Sequence, residues 1–89
     1  MGYENHDVKN VSADLLLKGA HGVLVGVKIM KIGSSGSKIV FRNGVDASAP
    51  EEFYVNGEGI LDIGHLNRRF ENGIFADVTG TAEYLVIFK

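Results

Sequence analysis

Glycine punctuates this chain. Twelve glycines and a single proline occur in 89 residues, and the glycines separate short β-branched and aromatic runs rather than interrupting them. Runs this short make poor helices but adequate strands. The clearest is Gly22 to Ile32, where Val23, Val25, Val27 and Ile29 share one phase of a two-residue alternation and Gly26 and Lys28 share the other. A strand with one buried face is predicted. Leu24, Met30 and Ile32 in the second phase imply that its ends are covered too, by a neighbouring subunit or a crossing loop.

The same reading extends along the chain. Gly33-Ser34-Ser35-Gly36 is a flexible turn, followed by alternation from Ser37 to Arg42 and a stop at Asn43-Gly44. A small-residue connection runs from Val45 to Pro50; Phe53 and Val55 then mark a short strand ended by Asn56-Gly57-Glu58-Gly59, and Ile60, Leu61 and Ile63 mark another. Leu66 and Phe70, four apart with polar residues between them, predict one helical turn over 65–71. Two further strands follow, Ile74 to Val78 and Tyr84 to Phe88, separated by Thr79-Gly80-Thr81. Leu15-Leu16-Leu17 is cut off by Gly19 and Gly22 and is assigned as strand. The expected fold is therefore all-β, an antiparallel sandwich or jelly roll of about seven short strands with at most one helical turn. Residues 13–89 would form one domain, and the polar, aperiodic residues 1–12 an N-terminal arm, disordered alone or ordered by a partner.

A chain this short buries only about 60–70% of the surface its unfolded form exposes, so its own core gives modest stability. It has no cysteine for disulfides, which leaves oligomerisation as the natural support. A net charge of −2 with dispersed Lys and Arg argues against nucleic acid as a partner. The polar, acidic start Met-Gly-Tyr-Glu-Asn-His-Asp is not a signal peptide, and no apolar run approaches the roughly 20 residues of a membrane helix. Synthesis in a reducing cytoplasm and no membrane partner are expected.

Candidate chemistry is sparse. His6, His21 and His65 fall at no metal-ligand spacing, and His65 with Asp62 would need further ligands. Glu51 and Glu52 are adjacent and point to opposite faces of a strand, and nothing in the sequence pairs Asp62 with Asp77. Ser34, Ser35 and Ser37 lack the strand-turn-helix setting of a phosphate loop. No catalytic, cofactor or metal site is assigned, and the chain is read as non-enzymatic. Among the aromatics, Tyr3, Tyr54 and Phe75 fall out of phase with the predicted core and are candidate interface rings. Arg68 and Arg69, beside Glu71, read as a solvated or intersubunit ion-pair patch. The residues assigned to contacts are Tyr3, His6, Val8, Leu24, Met30, Tyr54, Arg68 and Arg69, each in the arm or outside the main apolar phase.

Several segments carry a resemblance to small β-sandwich structural proteins of tailed-bacteriophage virions. They are the apolar opening Gly22-Val23-Leu24-Val25-Gly26-Val27, the strand and turn Ile39-Val40-Phe41-Arg42-Asn43-Gly44, and the closing hairpin from Phe70 to Thr81. The chain resembles capsid decoration, cement or tail-associated modules over roughly Asp14 to Lys89. The resemblance implies a virion protein present in many copies, often trimeric, docked on partners such as the major capsid protein and using no cofactor. A carbohydrate- or receptor-binding tail or fibre module is the alternative, with the loops Gly33 to Gly36, Asn43 to Pro50 and Asn56 to Gly59 gathered at one end of the sandwich.

Overall fold

A computed structural model describes residues 6–59 and 62–89. Its strands are β1 (Asp7–Val11), β2 (Leu15–Lys18), β3 (Gly22–Lys31), β4 (Lys38–Asn43), β5 (Glu51–Asn56), β6 (Asp62–Ile63), β7 (Arg68–Phe70), β8 (Ile74–Thr79) and β9 (Glu83–Phe88). The first sheet has the order β1-β9-β3-β6, with β7 also paired to β3, and the second has the order β2-β8-β4-β5. Every pairing is antiparallel. Counted as one interrupted strand, β6 and β7 complete an eight-strand jelly roll in which the chain passes between two packed sheets at every connection except the β4–β5 hairpin. The all-β sandwich expectation holds, with nine strands among the described residues rather than about seven.

The core is the inner face of both sheets. Leu24, Val27, Ile29, Tyr84, Val86 and Phe88 of the first sheet meet Ile39, Phe41, Val55, Ile74 and Ala76 of the second, with Val11, Phe70 and Ala82 completing the cluster. Burial of these side chains drives folding, at about 1.5–3 kcal/mol for each fully buried large one.

Three expectations are corrected. Residues 7–11 of the expected arm form the edge strand β1, in which Val11 stands opposite Tyr84 in the core. Asp7 and Lys9 share Val11's phase but remain exposed, so no apolar periodicity marks this strand. Backbone pairing with β9 holds it, and a charge in the inward phase guards its open edge.

The expected helical turn over 65–71 is absent, because Arg68–Phe70 is strand β7. Leu24 pairs with Arg68 and Val27 with Ile63, so the four residues 64–67 stand opposite only Val25 and Gly26. The detour includes Asn67 at φ 49, a left-handed conformation that Asn tolerates better than most residues. It turns Leu66 onto the core and lets the Leu66 N–H donate to the Val25 carbonyl at 2.8 Å. The four-residue spacing of Leu66 and Phe70 thus comes from a broken strand rather than a helix.

Leu24, expected on the outer face, is fully buried in the core. The β3–β9 register slips between Leu24 and Gly26, where two β3 residues stand opposite Ile87 alone. This bulge reverses the phase, so Leu24 joins Val27 and Ile29 inside while Val25 leaves the core cluster.

Candidate docking surface

The outer face of the second sheet is built by register. Leu16 of β2 stands opposite Phe75 of β8, and Phe75 opposite Arg42 of β4. In the adjacent row Asp77 stands opposite Val40, and Val40 opposite Tyr54 of the edge strand β5. Alternation makes this face the complement of the core set Ile39, Phe41, Val55 and Ala76. Tyr54 is 62% and Leu16 44% exposed, Phe75 is half-buried, and Val40 is buried although it lies outside the core cluster.

One ion pair ties the two rows together. Arg42 donates from Nε to Asp77 Oδ2 at 2.9 Å and from Nη1 to the Ala49 carbonyl at 2.9 Å, and its Nη2 lies 3.7 Å from Glu51 Oε2. The planar fork is thereby fixed from three sides. The patch is largely apolar and aromatic, with a hydrogen-bonded charge pair at its centre and, among the described residues, an unpaired strand edge beside Tyr54. Such a surface suits protein contact, where aromatic anchors contribute most when water is excluded.

The other predicted contact residues are scattered. Val8 and Met30 are exposed on the first sheet, with the row Asn10, Leu85 and Lys28 between them. Val8 stands opposite Ile87. Arg69 is exposed and stands opposite Val23, and His6 is half-buried just ahead of β1. Arg68 is occupied within the chain. Its Nε and Nη2 donate to Glu52 Oε2 at 3.2 and 3.1 Å, and its guanidinium lies 5.9 Å from the centre of the Phe53 ring, joining β7 of one sheet to β5 of the other. Tyr3 lies outside the described residues.

Phe75, a candidate interface ring by phase, lies on this face, whereas Leu16, Arg42 and Asp77 carry no contact assignment from the sequence. Phase alone singles out Phe75 and Tyr54, whereas the Arg42–Asp77 pair requires knowing that β4 lies beside β8.

The loops separate into two ends. The β3–β4, β5–β6 and β8–β9 connections meet at one of them. There Gly33 N–H donates to the Gly57 carbonyl at 2.9 Å, Gly57 N–H to the Ser37 carbonyl at 2.8 Å, and Gly36 N–H to the Glu58 carboxylate. Ser37 is fully buried and its hydroxyl accepts from the Thr81 N–H at 3.1 Å, while Thr81 Oγ1 donates to Ser34 Oγ at 3.3 Å. These hydroxyls serve as cross-links between loops. The Asn43 to Pro50 connection lies at the opposite end, tied to the β7–β8 turn by Gly44 N–H donating to the Gly73 carbonyl at 3.2 Å. In that connection the Ser48 hydroxyl and then its N–H donate to Asp46, holding its carboxyl below its ordinary value. Two of the three loops expected to gather at one end do so.

The carboxylates considered for catalysis are dispersed. Asp62 belongs to the first sheet and Asp77 to the second, where Asp77 pairs with Arg42, and His65 is exposed in the 64–67 detour. Among the described residues no three His, Cys, Asp or Glu side chains group to hold a metal ion, and no helix is long and apolar enough to cross a membrane. Comparison with known proteins finds no match among family models, curated proteins or solved structures.

Proposed function

We propose that this chain is a non-enzymatic virion structural protein of the decoration or cement kind, which stabilises a lattice by docking in many copies, as trimers, on other virion proteins. The observation that carries the proposal is the outer face of the second sheet, where Leu16, Phe75, Val40 and Tyr54 surround the Arg42–Asp77 pair. A small domain without disulfides gains stability from every copy that covers such a face. The resemblance of the Gly22 to Val27, Ile39 to Gly44 and Phe70 to Thr81 segments to virion modules supplies the biological setting.

Two measurements test this reading. Light scattering on the purified chain should show a concentration-dependent oligomer that Tyr54→Asp and Leu16→Asp abolish without loss of the β-sheet circular dichroism signal. Mass spectrometry of purified particles should find the chain in many copies. A monomer at all concentrations that is also missing from particles would overturn the proposal. Selective binding on a glycan array, lost on substituting Ser34 or Glu58, would replace it with the carbohydrate-binding reading.

A further inference from the structure

The chain contains three Asn-Gly pairs in its described residues: Asn43-Gly44, Asn56-Gly57 and Asn72-Gly73. A following glycine leaves the backbone nitrogen uncovered by any side chain, so each pair has the same intrinsic chemistry. The fold treats them differently. Gly44 N–H donates to the Arg42 and Gly73 carbonyls at 3.0 and 3.2 Å, and the Asn43 side-chain oxygen accepts from the Asn72 N–H at 2.9 Å. Gly57 N–H donates to the Ser37 carbonyl at 2.8 Å, and the Asn56 side-chain oxygen accepts from the Glu58 N–H at 3.2 Å. In both pairs the nitrogen and the side-chain amide are held away from each other's service. At the third pair Asn72 is exposed, and among the described residues neither its side-chain amide nor the Gly73 N–H makes a hydrogen bond.

We infer that Asn72 is a site of spontaneous deamidation in the folded protein, and that Asn43 and Asn56 are protected by their hydrogen bonds. Hydroxide removes the Gly73 amide proton, and the nitrogen attacks Asn72 Cγ. The Cγ–Nδ2 bond breaks, ammonia leaves after taking a proton from water, and a succinimide ring closes. Water then opens one of the two ring carbonyls, leaving aspartate or isoaspartate. The product places a new carboxylate next to Glu71, a like-charge contact in a tight turn. The isoaspartate form also lengthens the main chain between two links that join the turns, Asn72 N–H to Asn43 and Gly44 N–H to the Gly73 carbonyl. The modification therefore ages the end of the sandwich away from Ser37.

The test is incubation of the folded, full-length chain at mildly alkaline pH, followed by tryptic peptide mass spectrometry. Cleavage after Arg69 leaves Asn72 in the peptide Phe70 to Lys89, apart from Asn43 and Asn56 in Asn43 to Arg68. Conversion at Asn72 should run severalfold ahead of both other sites, and the difference should collapse when the incubation is repeated in urea. Asn72→Gln should abolish the mass gain in its peptide. Equal or slower conversion of Asn72 in the folded chain would overturn the inference, as would a ranking that persists in urea, because the fold would then not set it.

Discussion

The Tyr84 hydroxyl is packed against the backbone of Gly57: a Cβ on Gly57 would collide with that oxygen and come within 2.7 Å of Ala82 Cβ. Tyr84 is fully buried, and its hydroxyl has no hydrogen-bond partner among the described residues. A buried unpaired hydroxyl costs about 1–3 kcal/mol. Tyr84→Phe should therefore raise the thermal midpoint, by about 1 kcal/mol in stability. Gly57→Ala should cost about 1–3 kcal/mol through overpacking, and less in the Tyr84→Phe background, where the colliding oxygen is gone. Chemical denaturation of the two single variants and the double variant checks both statements, and strict additivity would contradict the contact.

Burial also raises the Tyr84 pKa above its ordinary value of 10.0. The unfolded chain then loses this proton at lower pH than the folded one, so above about pH 10 the unfolded state binds fewer protons and stability falls as pH rises. Below that pH the contribution is fully present. Denaturation midpoints followed into the alkaline range should drop for the parent chain and drop less for Tyr84→Phe. An identical alkaline limb in the two proteins would show that another group governs it.

The strand phases were legible in the sequence because alternation and glycine turns are local signals, and they placed Tyr54 and Phe75 outside the core. Long-range pairing was not. The bulge at Val25 and Gly26 lies opposite the 64–67 detour, with the Ile63 carbonyl oxygen only 2.5 Å from where a Gly26 Cβ would sit. Nothing in the sequence near Leu24 signals that detour, so simple alternation puts Leu24 on the wrong face. Strand β1 escaped notice for a related reason: only Val11 of its inward residues is buried, and its partner β9 lies at the far end of the chain. The Arg42–Asp77 pair likewise joins residues 35 positions apart.

Leu24 and Met30 belong to the same strand and separate the two readings of it. Leu24 is 0% and Met30 52% exposed. Leu24→Ala should cost about 2–5 kcal/mol, as removal of a buried leucine side chain does, whereas Met30→Ala should stay within about 0.5 kcal/mol. Urea midpoints of the two variants check this directly. Similar losses in both would mean that Leu24 is not a core residue.

The Arg42–Asp77 pair fixes the centre of the docking face and offers the last test. Their side chains are 19% and 24% exposed, so screening by water is reduced but present, and coupling of about 1 kcal/mol is appropriate for a pair on this surface. Arg42→Ala should cost more than Asp77→Asn, because it also strips the Ala49 carbonyl of its donor while the asparagine can still accept from Arg42 Nε. The double variant should recover part of the sum, since each partner's loss is worst while the other remains. A double-mutant cycle in urea measures that recovery. If Arg42→Ala leaves the chain folded but lowers its oligomer affinity more than Asp77→Asn does, the guanidinium positions Phe75 and Tyr54 for docking as well as bracing the sheet; equal affinities would confine the pair to a role in folding.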